Sequence, residues 1–362
     1  MLTVRLARGL SAALLVVPTF ATAQALAVRQ ALESITEADV RARVHIIADD
    51  SMGGRDTPSR GLDLTAEYAA GEFRKFGLTP GGDRGGYVQR YALKSPPPRS
   101  DASDRIVHAS RTTGGVPSVR DKKSGATAPN VVGIVEGSDS LLKHEYIVFS
   151  AHMDHVGTQA SAGGDSIWNG ADDDASGTAA VIELAEAYSM RDARPRRSLI
   201  FLLVSGEEKG LLGSEYFARQ LDRQKKLVAN INIDMIGRNW RDTIAVIGME
   251  HSDLGATLEA VSKAHPALGM QPVGDLWPNE HFYFRSDHYT FARRGVPVLF
   301  FFNGTHADYH QASDSPDKID AEKEARIVRL IFLLGQAIGN ADAPPQWDQG
   351  SYRKIVDRSY QR

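Results

Sequence analysis

The sequence predicts an α/β fold, in which a single domain is built on a mixed, largely parallel sheet with helices on both faces. From Tyr146 onward, short apolar runs alternate with amphipathic segments, the pattern of strands joined by helical crossovers. The runs are apolar throughout, as expected for strands covered on both sides. With 362 residues, of which 42% are hydrophobic and 24% charged, the chain can bury a sizeable core, and we expect one domain without internal repeats.

The individual elements are predicted from hydrophobic periodicity and from Gly and Pro punctuation. Helices are predicted over 34–47, 61–76, 176–190, 210–220, 254–264 and 321–338. Strands are predicted over 87–93, 130–135, 146–150, 198–204, 228–233 and 296–302. Residues 94–123 are polar and rich in Pro and Ser, which favours a loop or weak strands, and residues 341–362 are predicted to be an extended surface tail.

Residues 1–23 have the features of a signal peptide. Arg5 and Arg8 precede an apolar run over 10–20, and Ala21-Thr22-Ala23 is a small-residue cleavage signal. The run is shorter than the roughly 20 residues needed to span a bilayer; the alternative is a buried N-terminal helix. We therefore expect an exported protein, periplasmic or secreted, that has no membrane attachment after cleavage and whose folded domain spans residues 24–340.

Composition excludes several classes of function. A net charge of −3 gives no basic surface for nucleic acid, and the absence of cysteine excludes disulfides, thiolate-bound zinc and a Cys nucleophile. The sequence has no Gly-x-Ser-x-Gly elbow, no His-Glu-x-x-His motif and no Gly-Lys dipeptide. Serine hydrolases with that elbow, zincins and P-loop proteins are therefore disfavoured.

Residues that can bind metals follow the predicted strands where each strand ends. They are His152, the pair Glu207 and Glu208, Asp234, and a loop that carries His310. In open α/β sheets, ligands bind outside the carboxyl ends of the strands. Each residue alone has an ordinary structural explanation, although Asp234 lies between Ile233 and Met235 and needs a compensating charge. Together they indicate a metal site, to which a further run of three Asp residues at 172–174 can contribute.

The residue types indicate the metal. Imidazole and carboxylate without thiolate suit zinc, with cobalt or manganese as substitutes. Two His and three carboxylates exceed the three protein ligands of one catalytic zinc. They suit two zinc ions about 3.5–4 Å apart that share a carboxylate. One adjacent Glu then remains to carry protons during hydrolysis.

Five segments and one further residue resemble those of a known family: SAHMDHVG, NGADDDASGTAAV, SGEEKGLLGS, INIDMIG and RSDH, and the final His310. On these motifs the chain resembles the co-catalytic di-zinc aminopeptidases, which include secreted bacterial leucyl aminopeptidases and have glutamate carboxypeptidases and glutaminyl cyclases as relatives. The resemblance implies the zinc exopeptidase fold. It also implies that His152, Asp173 and Asp234 bind one zinc, and that Asp173, Glu208 and His310 bind the other.

The resemblance also assigns residues that do not bind metal. Glu207, the first of the two glutamates, would be the general base, and Asp154 would orient the His152 ring. Tyr283 matches a Tyr that stabilises the tetrahedral intermediate in some members. His155 and His306 are expected to line the cleft rather than to bind zinc.

The neighbours of Asp173 in the Asp run have a predicted structural role. Asp172 and Asp174 are expected to hold the loop of Asp173 through backbone hydrogen bonds. The chain also departs from some relatives, because the 34 residues between Leu93 and Ala128 are too few for an inserted protease-associated domain.

The expected function is therefore that of an exported di-zinc metallo-exopeptidase. It is expected to be an aminopeptidase that hydrolyses N-terminal residues from peptides by attack of a zinc-bridging hydroxide. The alternatives on the same fold are a carboxypeptidase or dipeptidase, or a glutaminyl cyclase, which normally keeps one zinc. A non-catalytic binding protein would need broken ligands, and every ligand position is intact. The sequence leaves the oligomeric state open.

Overall fold

The computed structural model describes residues 18–93, 125–159, 164–221, 225–357 and 359. The helices are α1 (Pro18–Ser34), α2 (Glu37–Ile47), α3 (Arg60–Lys75), α4 (Gly177–Ser189), α5 (Leu212–Gln220), α6 (Leu254–Ala264), α7 (His288–Ala292), α8 (Ala321–Asn340) and α9 (Gln349–Ile355). The strands are β1 (Thr79–Pro80), β2 (Val88–Ala92), β3 (Thr127–Val135), β4 (Glu145–His152), β5 (Ser198–Val204), β6 (Lys226–Ile233), β7 (Thr243–Ile247), β8 (Gln271–Val273) and β9 (Val298–Phe301). The predicted loop over 94–123 and the first 17 residues of the predicted signal peptide lie outside the described residues.

The strands form one mixed sheet whose centre is parallel. Its order is β1-β3-β5-β4-β6-β9-β7-β8, with β2 also paired to β3. The neighbours β5, β4, β6 and β9 run parallel, whereas β3 is antiparallel to β5 and β7 is antiparallel to β9. The predicted α/β class with a mixed, largely parallel sheet is therefore confirmed.

Helices cover both faces of the sheet, and the side chains of β5 show why its sequence is apolar throughout. Leu199, Phe201 and Leu203 belong to the core on one face, which α2, α3, α4, α6 and α8 cover. Ile200, Leu202 and Val204 belong to the core on the other face, covered by α5, α7 and α9. Successive residues of a strand point to opposite faces, so a strand buried on both sides needs an apolar residue at every position.

The parallel arrangement brings four strand ends to one rim. His152 is the last residue of β4, Asp234 follows β6 directly, and the two glutamates follow β5 by three and four residues. The loop after β9 carries His310. Because the carboxyl ends of parallel strands lie along one edge, all of these residues are placed on the same side of the sheet.

The C-terminal region differs from the prediction. Residues 349–355 form α9, and Ile355 is buried in the second core. Trp347 anchors this region, since its indole Nε1 donates a hydrogen bond to the carbonyl of Gly295 at 2.9 Å. The predicted extended tail was therefore wrong, because Pro344 and Pro345 end one segment without preventing a short helix after them. Within the described ranges, no helix combines the length and the apolar character needed to cross a lipid bilayer.

Candidate metal centre

Two groups of side chains that could hold a metal ion share one residue, Asp173. The first group is His152, Asp173 and Asp234, and the second is His155, Asp173, Glu208 and His310. Within each group, one donor atom per residue lies within 4.8 Å of all the others. The five residues predicted as zinc ligands all belong to these groups. His155 joins them, although the sequence analysis placed it in the cleft wall.

The two carboxylate oxygens of Asp173 face different groups. Oδ1 lies 3.3 Å from Nε2 of His152, and Oδ2 lies 3.0 Å from Nε2 of His310. Nε2 of His152 is also 3.7 Å from Oδ1 of Asp234. A carboxylate placed in this way can bind one cation through each oxygen.

The other two residues of the Asp run hold the loop in place. The Asp174 carboxylate accepts hydrogen bonds from the backbone N–H groups of His152 at 3.1 Å and Gly177 at 2.9 Å. The Asp172 carboxylate accepts one from the N–H of Gly237 at 2.6 Å. Both residues therefore bond to backbone as predicted, and the bonds reach β4 and the segment after β6 as well as the start of α4.

A buried arginine supports the same loop from beneath. The guanidinium of Arg55 is fully buried and donates hydrogen bonds to the carbonyl oxygens of Met153 at 2.7 Å, Gly170 at 2.9 Å and Ile47 at 3.0 Å. It also bonds to the carbonyl of Asn169. Sequence reasoning missed this residue, because nothing in its local pattern distinguishes it from a surface arginine.

Asp154 orients its neighbours differently from the prediction. Nδ1 of His152 lies 3.0 Å from the backbone carbonyl of Asp154, while the nearest carboxylate oxygen is 3.8 Å away. The Asp154 carboxylate instead accepts hydrogen bonds from the Thr57 hydroxyl at 2.9 Å and from the backbone N–H of Glu207 at 3.3 Å. Its side chain therefore positions the turn that carries the two glutamates.

Glu207 and Glu208 have different surroundings. Oε1 of Glu208 lies 3.2 Å from Nε2 of His310 and belongs to the second group. Glu207 lies outside both groups and lines the adjacent cavity. Burial, together with the neighbouring Glu208 carboxylate, raises the pKa of Glu207 well above its ordinary value despite the opposing effect of His152. A carboxyl with a raised pKa beside a cavity is suited to taking up a proton.

The charges and unpaired atoms of the second group fit a divalent cation. Burial would lower the pKa of His310, but the Glu208 and Asp173 carboxylates outweigh it and raise that pKa to about 11. Among the described residues, Oε1 of Glu208, Nε2 of His310 and both ring nitrogens of His155 are buried without a hydrogen-bond partner. Buried polar atoms normally have partners. A cation coordinated by the Glu208 oxygen and the His310 nitrogen would satisfy both of those atoms, so the residues present fit zinc.

A chain of hydrogen bonds fixes Asp234 in the first group. The Ser286 hydroxyl donates to Oδ2 of Asp234 at 3.0 Å and accepts from the side-chain amide of Asn232 at 3.0 Å. The Ser150 hydroxyl continues the chain by donating to the Asn232 side chain at 2.7 Å and accepting from Asn230 at 2.8 Å. The two asparagines alternate with apolar residues in β6, and this polar alternation in an otherwise buried strand is the sequence signal that could have revealed the chain.

A cavity of about 50 Å³ opens beside both groups. Its charged lining includes His152, Asp173, Glu207, Glu208 and Asp234, and its other walls include Phe282, Arg285, Phe300, Phe302 and Tyr309. The cavity lining therefore combines carboxylates and an imidazole with an arginine and several aromatic rings. This arrangement suits a small ligand with a polar group and an apolar side chain.

Tyr283 is not among the residues that line this cavity, and its role in stabilising the intermediate stays a prediction. Its ring packs edge-on against His251 at 4.6 Å and His288 at 5.3 Å between ring centres, and it is buried. Tyr309 lines the cavity instead and stacks on the ring of His310 at 3.9 Å. Sequence spacing to the RSDH motif suggested Tyr283, but the turn at 282–284 directs that ring into the protein.

The sequence matches a known family over most of the region that carries the site. The model of Peptidase family M28 matches residues 130–334, which is more than half of the chain. The chain therefore belongs to Peptidase family M28.

Two curated relatives show how far this similarity extends. Leupeptin-inactivating enzyme 1 of Streptomyces exfoliatus is 31% identical over 202 residues, covering 54% of this chain and 40% of the relative. A probable zinc metalloprotease of Pyricularia oryzae is 28% identical over 359 residues, covering 84% of this chain and 65% of the relative. The chain thus spans less than two thirds of the length of either protein.

Solved structures share the fold at low sequence identity. An aminopeptidase from Aneurinibacillus sp. strain AM-1 aligns with a TM-score of 0.62 at 15% identity, over 86% of this chain and 96% of that one. A glutaminyl cyclase from Bacteroides thetaiotaomicron aligns with a TM-score of 0.60 at 16% identity, over 83% of this chain and 98% of that one. Two different activities therefore occur on this fold, so fold alone does not choose between them.

Proposed function

We propose that the protein is an aminopeptidase that uses two zinc ions to hydrolyse the N-terminal peptide bond of peptides. The observation that carries the proposal is the position of Asp173, whose two carboxylate oxygens face two separate groups of metal-binding side chains. His152 and Asp234 complete the set for one zinc. Glu208 and His310 are the predicted partners of Asp173 for the other.

Zinc bound there would polarise the scissile carbonyl and lower the pKa of water. The protein's own residues would carry out the proton transfers. The Glu207 carboxylate lines the cavity outside both groups, where it can accept the proton of the attacking water and return it to the leaving amine. The hydrogen bond from the Glu207 backbone to Asp154 holds this carboxylate in place.

The lining of the cavity supports a substrate with a free α-amine. Glu207 borders the cavity outside both metal-binding groups, and its carboxyl oxygens offer hydrogen-bond acceptors to an ammonium group. The rings of Phe282, Phe300 and Phe302 offer an apolar wall for the first side chain. A relative named aminopeptidase, YwaD of Bacillus subtilis, is 31% identical over 117 residues, which cover 32% of this chain and 23% of that protein.

A panel of three peptides tests the reaction. The peptides share one sequence and carry a free N-terminus, an acetylated N-terminus or an amidated C-terminus. The proposal expects zinc-loaded protein to cleave the first and third and to leave the acetylated peptide intact. Cleavage that requires a free C-terminus would instead indicate a carboxypeptidase. Cyclisation of an N-terminal Gln without hydrolysis would indicate a glutaminyl cyclase.

We also propose that residues 1–23 direct export and are removed. This proposal is supported by the charged start, the apolar run and the small residues at 21–23. Expression of the full chain in a bacterium, followed by N-terminal sequencing of the periplasmic and medium fractions, tests it. We expect a chain that begins at Gln24; an uncleaved cytoplasmic chain would contradict export.

A further inference from the structure

We propose that His155 is a fourth protein ligand of the second metal, together with Asp173, Glu208 and His310. The proposal rests on the two-metal centre of the proposed function and extends it to a residue outside the predicted ligand set. The first metal would then have three protein ligands and the second would have four. The two sites would therefore differ in affinity.

The ring of His155 lies where a ligand of the second metal must lie. Nδ1 is 3.2 Å from Oε1 of Glu208 and 3.6 Å from Oδ2 of Asp173. These are the same two carboxylate oxygens that Nε2 of His310 approaches, at 3.2 Å and 3.0 Å. Four donor atoms from four residues thus lie within 4.8 Å of one another, and the two imidazoles approach the same two oxygens to within 3.6 Å.

The burial of His155 indicates that its ring needs a partner. The residue is fully buried, and among the described residues neither ring nitrogen has a hydrogen-bond partner. An imidazole in this position without a partner would leave two polar atoms unsatisfied. Coordination through Nδ1 satisfies the nitrogen that faces the carboxylates. Imidazole nitrogen is also the commonest protein ligand for zinc alongside thiolate.

The backbone fixes the ring in this orientation. The N–H of His155 donates a hydrogen bond to the carbonyl of Arg55 at 3.3 Å. The ring packs edge-on against His310 with 5.4 Å between centres. On its other side lies Gly170, where a Cβ atom would come within 2.5 Å of Cγ of His155. The absence of a side chain at position 170 therefore leaves the space that the His155 ring occupies.

The competing explanation is that the His155 ring only pairs with the Glu208 and Asp173 carboxylates and has no role in metal binding. The two explanations differ in what happens when the ring is removed. A ligand contributes to metal affinity, since its loss leaves the ion with one bond fewer. An ion-pair partner holds two carboxylates together in the metal-free protein and competes with the cation, so its loss would leave zinc affinity unchanged or increase it.

Zinc titration of His155→Ala and His155→Gln against a competing chromophoric chelator tests the proposal, with His251→Ala as the control. His251 is a half-buried histidine that packs on Tyr283 outside both groups. We expect both His155 variants to bind the first zinc as the wild type does. Their affinity for the second zinc should fall at least about 100-fold, because mutation of a residue that only supports a metal ligand already lowers metal affinity about 10–100-fold. X-ray absorption at the zinc edge should show fewer imidazole ligands per zinc in these variants and no change in the control.

Thermal unfolding with and without chelator separates metal binding from a folding defect. We expect the temperature increase produced by zinc to be smaller in His155→Gln than in the wild type, while the metal-free proteins unfold at similar temperatures. The proposal would be overturned if His155→Gln unfolded at a temperature lowered equally with and without chelator. It would also be overturned if this variant bound both zincs with wild-type affinity. If the wild-type protein itself binds fewer than two zincs, the proposed function fails instead, so the two failures are distinguishable.

Discussion

At the scale of single residues, the site depends on neighbours in the chain that have separate roles. Glu207 and Glu208 are adjacent, yet one lines the cavity and the other belongs to the second group of metal-binding residues. The backbone hydrogen bond between Glu207 and Asp154 fixes the turn from which both side chains extend. The proposed reaction therefore gives the two carboxylates different roles.

Replacing each glutamate by Gln tests this division. Glu207→Gln should retain both zincs and the melting temperature but lose about 10²–10⁴-fold in peptide turnover, because an amide cannot accept the proton. Glu208→Gln should lose zinc as well as turnover. Zinc content, melting temperature and turnover are measured for both variants. Near-native turnover in Glu207→Gln, or an exchange of the two phenotypes, would show that the roles are assigned wrongly.

The two tyrosines provide a second comparison. Tyr309 lines the cavity and stacks on His310, whereas Tyr283 packs against His251 away from the cavity. Tyr309→Phe should lower kcat about 10-fold or more, because its hydroxyl would no longer stabilise charge that develops on the substrate. Removing a donor to an oxyanion can lower kcat by up to about 10²–10³-fold. Tyr283→Phe serves as the control and should leave kcat within about twofold. A larger loss of kcat in Tyr283→Phe than in Tyr309→Phe would support the role in stabilising the intermediate that the sequence motif gave to Tyr283.

At the scale of elements, the loop of Asp173 is held by groups that come from distant parts of the chain. Arg55 binds the carbonyls of Asn169 and Gly170, and Asp314 accepts hydrogen bonds from the N–H groups of Asp172 and Asp173 at 3.0–3.2 Å. These contacts satisfy backbone groups that the irregular loop leaves unpaired. The position of the shared carboxylate thus depends on the packing of three separate segments.

Two glycines with the same backbone conformation test how tightly this loop is packed. Gly170 and Gly53 have φ of 58° and 56°. A Cβ atom at position 170 would collide with the carbonyl of Asp173 and with the His155 ring, whereas one at position 53 would meet nothing within 4 Å. Gly53→Ala should cost about 1–2 kcal/mol from its left-handed backbone alone. Gly170→Ala should cost more and also weaken zinc binding, as chemical denaturation and zinc titration would measure; equal effects in both variants would contradict a tight loop.

The sequence predicted those parts of the fold and site that local patterns encode. The central strands were found because burial on both faces demands apolar runs, as in residues 198–204. Their ends pointed to His152, Glu208 and Asp234, which the structure places in the two groups that share Asp173. Arg55 and the proximity of His155 to Glu208 could not be predicted, because they depend on segments separated by about 50 to 120 residues in the chain. The helix α9 was missed because its stability comes from docking on the domain, through Trp347 and Ile355, rather than from its own sequence.

At the scale of the whole molecule, the protein gathers negative charge at one rim of its sheet. Asp173, Asp234 and Glu208 are buried or nearly so, and their charges must be balanced by cations or by protonated histidines. In the metal-free protein, His310 takes part in this balance, since the Glu208 and Asp173 carboxylates raise its pKa to about 11 against the effect of burial. Metal binding would replace this proton.

The pH dependence of metal-free stability follows from that pKa. Because the pKa of His310 is higher in the folded protein than the ordinary value of 6.5, its stabilising contribution is complete below pH 6.5 and is lost as the pH rises towards 11. Zinc-loaded protein has no such proton to lose. We therefore expect the drop in melting temperature caused by a chelator to be larger at pH 9 than at pH 6.5. A drop that shrinks with rising pH would contradict this balance of charges.

Diffraction data collected on both sides of the zinc absorption edge, from crystals of zinc-loaded protein, test the central claim most directly. The claim is that one carboxylate, that of Asp173, joins two metal sites. It predicts two anomalous peaks, one next to each oxygen of Asp173, with His152 and Asp234 beside one peak and Glu208 and His310 beside the other. A single peak in fully active protein, or two peaks that do not share Asp173, would contradict the two-metal account.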